Sequence, residues 1–118
     1  MRLLIVDDDA DVLQRVARTL ETLGGFEVVA CTSGVEALAR ARSDAPDAIL
    51  LDLMMPTLSG PALLKRLQRD DGTSSIPVIF LTAADPSSVE SITGARGVIR
   101  KPFDVLTLGD DIRRILAS

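Results

Sequence analysis

Histidine is absent from the 118 residues. With it go any imidazole base, any histidine metal ligand and any phosphohistidine carried by this chain. Tryptophan and tyrosine are missing too, and phenylalanine occurs only three times, so no aromatic platforms exist on which bases could stack. The lysines and arginines are scattered as singles and pairs, and the net charge is -4. That excludes the basic stripe a nucleic-acid binder needs. A single cysteine, Cys31, leaves no intrachain disulfide and no cysteine-rich metal site. Nothing basic sits beside it to favour the thiolate, so a buried, inert thiol is expected. No apolar run approaches the ~20 residues needed to span a bilayer. Met1-Arg2 leads straight into strand residues, without the basic, apolar and small-residue regions of a signal peptide. A cytoplasmic protein that contacts neither membrane nor nucleic acid is the expectation.

What is present is apolar aliphatic residue in quantity. The hydrophobic share is 47% and the aromatic share 3%, so the core must be built from Leu, Ile, Val and Ala. The length suits one domain, residues 1–118, with no output domain in this chain. Its centre is Ala48-Ile49-Leu50-Leu51-Asp52, an apolar strand that stops on one carboxylate ahead of Leu53-Met54-Met55-Pro56. Three other strand-like runs also end on reactive or charged residues: Arg2–Val6 at Asp7-Asp8-Asp9, Pro77–Leu81 at Thr82, and Gly97–Ile99 ahead of Lys101. Phe26–Ala30 is the remaining strand.

Helical periodicity fills the intervals. Val12, Leu13, Val16, Ala17, Leu20 and Leu23 share one helical face, closed by Gly24-Gly25. Ser33 and Glu36 have capping-box spacing for a second helix reaching about Ser43. Ser59-Gly60-Pro61 opens a third, with Pro61 in the first turn and Leu63, Leu64 and Leu67 as its apolar face. Asp85-Pro86 caps a short fourth helix to about Thr93. Asp104 caps the last, whose face is Val105, Leu108, Ile112, Ile115 and Leu116. Strands alternating with helices imply a parallel α/β sheet covered on both faces, and uninterrupted apolar strands agree with that. Five strands with right-handed crossovers predict the doubly wound order 2-1-3-4-5, with the switch point between strands one and three. Asp7, Asp8 and Asp52 would meet there, outside the carboxyl ends of the strands.

Three carboxylates at one edge repel unless something cationic sits among them. With no His or Cys available, a hard divalent cation is the sensible occupant. Mg²⁺ fits better than Ca²⁺, because it takes one or two carboxylates and keeps its waters. Asp9 is expected to do no more than cap the first helix. Asp52, isolated between Leu51 and Leu53, is a candidate nucleophile toward phosphorus. The Thr82 hydroxyl and Lys101 would then hold the phosphoryl oxygens. Taken singly, Thr82 also reads as a strand-end residue and Lys101 as a solvated charge.

The chain resembles bacterial response-regulator receiver domains of two-component signalling, of the chemotaxis-regulator kind. The resemblance covers essentially its whole length. It is carried by LLIVDDD (Leu3–Asp9), ILLDLMMP (Ile49–Pro56) followed by Ser59-Gly60, IFLTA (Ile79–Ala83), and Gly94-Ala95 leading to Lys101-Pro102-Phe103. It implies a flavodoxin-like (βα)5 three-layer sandwich. It also implies that Asp52 accepts a phosphoryl group from the phosphohistidine of a sensor histidine kinase or phosphotransfer protein, or from a small donor such as acetyl phosphate. Asp8, Asp52 and the Met54 carbonyl would ligate Mg²⁺, or Mn²⁺ in its place, with Asp7 reaching it through water. Lys101 would pair with the carboxylates at rest and with the phosphoryl group afterwards. Thr82 and the Ala83 amide would close on the phosphoryl oxygens, and the Lys101–Pro102 bond would be cis. Such a protein is a signalling phosphoacceptor and no enzyme beyond its own phosphorylation and dephosphorylation. It acts on a downstream effector as a monomer or a weak phosphorylation-dependent dimer.

Two departures from the family pattern stand out. Val98 occupies the position three before the lysine where the family carries Tyr or Phe, and the segment from Thr82 to Lys101 is about three residues short. These imply a short, mobile fourth helix and an altered readout. Met54 and Ala84, both apolar, imply slow hydrolysis of the acyl phosphate. Two other readings share the residues: a scaffold whose acidic pocket no longer signals, and a Mg²⁺-dependent phosphatase with an Asp nucleophile. The latter lacks a second Asp two residues on, where Met54 stands.

Overall fold

Every strand runs in the same direction, and the order across the sheet is β2-β1-β3-β4-β5. The structure, a computed structural model, describes residues 1–53, 55, 59–83 and 94–118. Along the chain the elements are β1 (Arg2–Val6), α1 (Ala10–Gly24), β2 (Glu27–Cys31), α2 (Gly34–Asp44), β3 (Ala48–Asp52), α3 (Gly60–Arg69), β4 (Val78–Thr82), β5 (Gly97–Arg100) and α4 (Val105–Ala117). The short helix expected over Asp85–Thr93 lies outside the described residues.

Strand alternation divides the core in two. Leu3, Ile5, Leu50, Ile79, Leu81 and Ile99 face α1 and α4, where they meet Leu13, Val16, Leu20, Leu108 and Ile112. Leu4, Val6, Ile49, Leu51, Val78 and Phe80 face α2 and α3, where they meet Ala37, Ala41, Leu63, Leu64 and Leu67. Apart from Arg2 at the start of β1 and the terminal Asp52 and Thr82, the three central strands are apolar, because each has helices on both sides. The result is the flavodoxin-like three-layer α/β sandwich, with four helices among the described residues. None of them is long and apolar enough to cross a membrane.

The helix boundaries follow their caps. The Asp9 carboxylate accepts from the Asp11 and Val12 amides, Ser33 Oγ from Glu36, Ser59 Oγ from Ala62, and Asp104 from Leu106. Each satisfies an amide that the first turn leaves without a carbonyl. Gly25 ends α1 in the left-handed conformation at φ 70°, as the Gly24-Gly25 pair predicts. The same role at the end of α2 falls to Ala45, at φ 46°, a residue type that gives no such signal in the sequence.

Three expectations need adjusting. Leu23 leaves the apolar face of α1 and is 63% exposed, because the closing turn carries it past the edge of the sheet. Phe26 precedes β2 instead of opening it: its amide still bonds back to the Leu20 carbonyl, and its ring is buried between α1 and α4. Pro77 likewise precedes β4, contributing only its carbonyl, to the Ile49 amide.

Candidate functional site

The ladder register assembles the site. Val6 pairs with Leu51 across β1 and β3, so the next positions outward are Asp7 and Asp52. Asp52 in turn pairs with Leu81, one residue before Thr82. Thr82 pairs with Arg100, one residue before Lys101. Four segments far apart in sequence thus finish side by side at the carboxyl edge of the sheet, where β1 and β3 part to opposite neighbours. Hydrogen bonds carry the order slightly past the strands: Asp7 N–H donates to the Cys31 carbonyl, Leu53 N–H to Leu81, and Lys101 N–H to Thr82.

Carboxylate oxygens of Asp7, Asp8 and Asp52 lie within 4.8 Å of one another. Asp7 and Asp52 are buried, whereas Asp8 is exposed. Asp7 Oδ1 accepts from the Asp9 amide at 3.0 Å and Oδ2 from Lys101 Nζ at 3.0 Å. Lys101 Nζ also lies 3.7 Å from Asp52 Oδ2. A buried carboxylate without such partners would be costly. Burial is the largest single influence on Lys101 and lowers its pKa. The hydrogen bond to Asp7 and the charges of Asp52, Asp7 and Asp8 together outweigh it, so the ammonium is held above its ordinary value. Its charge is therefore secure, yet three carboxylates still outnumber one ammonium. Oxygen donors with a formal excess of negative charge suit a hard divalent cation, and Asp7, Asp8 and Asp52 are the residues that could hold one.

Thr82 is buried at the last position of β4, and Ala83 beyond it is exposed. Met54, whose carbonyl the family resemblance implies as a ligand, lies outside the described residues, as does Ala84. Asp9 is confined to its capping role. Cys31 is buried, and burial pushes its thiol up to about 11, in keeping with an inert side chain. The Lys101–Pro102 peptide bond is cis. Val98, where the family pattern has an aromatic ring, is half-buried against the α2/α3 side of the core.

One site residue escaped the sequence reading. At the start of α3, the Gly60 amide donates to the Leu53 carbonyl at 3.1 Å. A Cβ at Gly60 would lie 2.8 Å from the Asp52 carbonyl oxygen and 2.9 Å from Leu53 Cα. The first turn of α3 thus rests directly on the strand end that bears Asp52. Only the Ser59-Gly60-Pro61 juxtaposition hinted at this, and it reads equally as an ordinary helix start.

A family model described as "Response regulator receiver domain" matches residues 3–113. Protein PilH of Pseudomonas aeruginosa is 36% identical over 120 residues, covering 99% of this chain and 98% of that protein. Transcriptional regulatory protein PrrA of Mycobacterium tuberculosis is 39% identical over 120 residues, covering 98% of this chain but 49% of that protein. RpaA of Synechocystis is likewise covered over 48% of its length, so the chain spans about half of several curated relatives it matches. Among solved structures, the chemotaxis response regulator CheY4 of Vibrio cholerae superposes with a TM-score of 0.88 at 32% identity, over 97% of each chain. The strand order, the acidic edge and these matches agree: the chain belongs to the response regulator receiver domains of two-component signalling.

Proposed function

We propose that Asp52 is the phosphoacceptor of this receiver domain and that its phosphorylation depends on Mg²⁺ held by Asp8 and Asp52, with Asp7 contributing through water. Mn²⁺ would serve in its place. The observation that carries the proposal is the meeting of Asp7, Asp8 and Asp52 within 4.8 Å, with Lys101 Nζ 3.0 Å from Asp7 and 3.7 Å from Asp52. Bound there, Mg²⁺ would neutralise charge between the carboxylates and the incoming phosphoryl oxygens.

The residues divide the remaining work. Asp52, fixed at the end of a fully buried strand, presents a carboxylate oxygen to phosphorus in line with the leaving group. Lys101 supplies positive charge from a position already set by Asp7, so little reorganisation accompanies the transfer. Thr82 and the Ala83 amide, at the end of the neighbouring strand, then donate to the phosphoryl oxygens. Their movement toward the group biases the domain between two states, which is how a new phosphate generally acts as a switch. The donor would be the phosphohistidine of a sensor histidine kinase or phosphotransfer protein, necessarily on another molecule because this chain carries no histidine, or a small donor such as acetyl phosphate. Receiver domains take phosphoryl groups from kinases and regulate downstream effectors. Here the chain would act on its effector as a monomer or a weak phosphorylation-dependent dimer. The chain would catalyse only its own phosphorylation and dephosphorylation. Neither the phosphatase nor the scaffold reading is favoured by the fold or by the relatives.

Intact-mass measurement after incubation with acetyl phosphate tests this. One phosphoryl adduct is expected with Mg²⁺, and none with chelator or in Asp52→Asn. An adduct that forms equally well in chelator would overturn the metal assignment.

A further inference from the structure

A cavity of about 410 Å³ opens beside the site, between the start of α1 and the segment joining β5 to α4. Ala83 and Lys101, the residues assigned above to the phosphoryl group, are part of its lining. Its walls are Val12 and Val16 of α1, with Phe103 and Val105 opposite. Val12, Phe103 and Val105 are only partly buried against the core, so their apolar surface is open to a ligand. Arg15 stands on the same wall and is exposed.

The groove thus joins the Lys101 ammonium to the apolar side chains of Val12, Val16, Phe103 and Val105. Its volume falls in the range of roughly 300–1,000 Å³ typical of small-molecule sites. A donor that matches this has a phosphoryl group at one end and a short apolar body at the other. We propose that the groove is a subsite for the acyl group of small acyl phosphates, and that the domain prefers donors with an apolar acyl chain to acetyl phosphate. This rests on Asp52 being the phosphoacceptor. The transfer is self-contained: an Asp52 carboxylate oxygen forms the new P–O bond, and the bond from phosphorus to the acyl oxygen breaks. The free carboxylate leaves with that electron pair, and no proton or further reactant is required. Arg15 and Lys101 offer positive charge to the departing carboxylate, while the chain stays against Val12, Val16 and Phe103.

Acetyl and butyryl phosphate have leaving groups of nearly equal basicity, so a rate difference between them reports binding of the chain. Phosphorylation of the full chain in Mg²⁺ is followed by intact mass with each donor at subsaturating concentration. Burial of two more methylenes is expected to favour butyryl phosphate about tenfold. That ratio should fall toward one in Phe103→Ala and in Val12→Gln, and persist in Leu23→Gln, a change at an exposed position outside the groove. Equal rates with the two donors would overturn the subsite while leaving Asp52 as acceptor, and so would a preference that survives both groove substitutions. They would leave the groove to a protein donor. No adduct from either donor would instead overturn the phosphoacceptor reading.

Discussion

Gly60→Ala places one methyl group where the first turn of α3 meets the end of β3. The added carbon would lie 2.8 Å from the Asp52 carbonyl oxygen, 2.9 Å from Leu53 Cα and 3.0 Å from Phe80 Cε1. Two of those three atoms are backbone, and Phe80 is fully buried, so no flexible side-chain end can swing away. Relief requires α3 and the strand end to separate by roughly half an ångström, and overpacking of this kind costs about 1–3 kcal/mol. Helix propensity works the other way by less than about 1 kcal/mol, and less still in a first turn. The net loss is therefore about 1–2 kcal/mol, or a melting temperature lower by about 5 °C for a domain of this size. Gly72→Ala is the matched control, because its Cβ meets only Asp70 Oδ1, at 3.4 Å. Urea unfolding of both variants should show Gly72→Ala within about 0.5 kcal/mol of wild type and Gly60→Ala clearly below it. Because the displaced atoms belong to Asp52 and its neighbour, acetyl phosphate should also label Gly60→Ala about tenfold more slowly. Equal stabilities for the two alanine variants would refute the claim that α3 rests on the strand end.

Other consequences follow from the same structure. Asp8→Asn removes one of three mutually repelling carboxylates, so without divalent ions it should be more stable than wild type by up to about 1 kcal/mol. Thermal melts with added Mg²⁺ should then stabilise wild type and leave this variant unmoved; the reverse order would count against the cation site. The Gly72 amide, and next the Arg42 side chain, hold Asp70 below its ordinary carboxylate value of 3.8. A depressed carboxylate contributes stability above that value and loses it as pH falls through the lower folded one. Wild type should therefore lose more stability than Asp70→Asn when taken from pH 5 to pH 3, and parallel losses would discount the interaction. Cys31 should react with a thiol reagent only on unfolding, so labelling should slow in step with added stability; rapid labelling of the native protein would contradict its burial.

The residues legible in the sequence were those whose signal is local. Asp9, Ser33, Ser59 and Asp104 cap helices because each precedes a periodic apolar pattern, and all four do so in the structure. The apolar strands of β1, β3 and β4 announced a two-sided sheet, and their polar ends announced the site. What stayed hidden depends on atoms distant in the chain. Leu23 has the right spacing for the core, but the sheet ends before it arrives. Phe26 is strand-like by type, yet it packs under the Arg113 guanidinium, 4.2 Å from its ring centroid, a partner on the last helix. Ala45 adopts the left-handed turn usually given to glycine, and only the close of α2 against β3 shows why a turn is needed there. The closeness of Gly60 to Asp52 is invisible for the same reason, since seven residues intervene.

The central claim concerns one side chain among three neighbouring carboxylates, so the decisive measurement is one that locates the phosphoryl group. Borohydride converts an aspartyl phosphate to homoserine, and peptide mass spectrometry then identifies the modified position. After treatment with acetyl phosphate and Mg²⁺, homoserine is expected at residue 52 and nowhere else. Homoserine at position 7 or 8, or an adduct that resists borohydride, would contradict the assignment of Asp52.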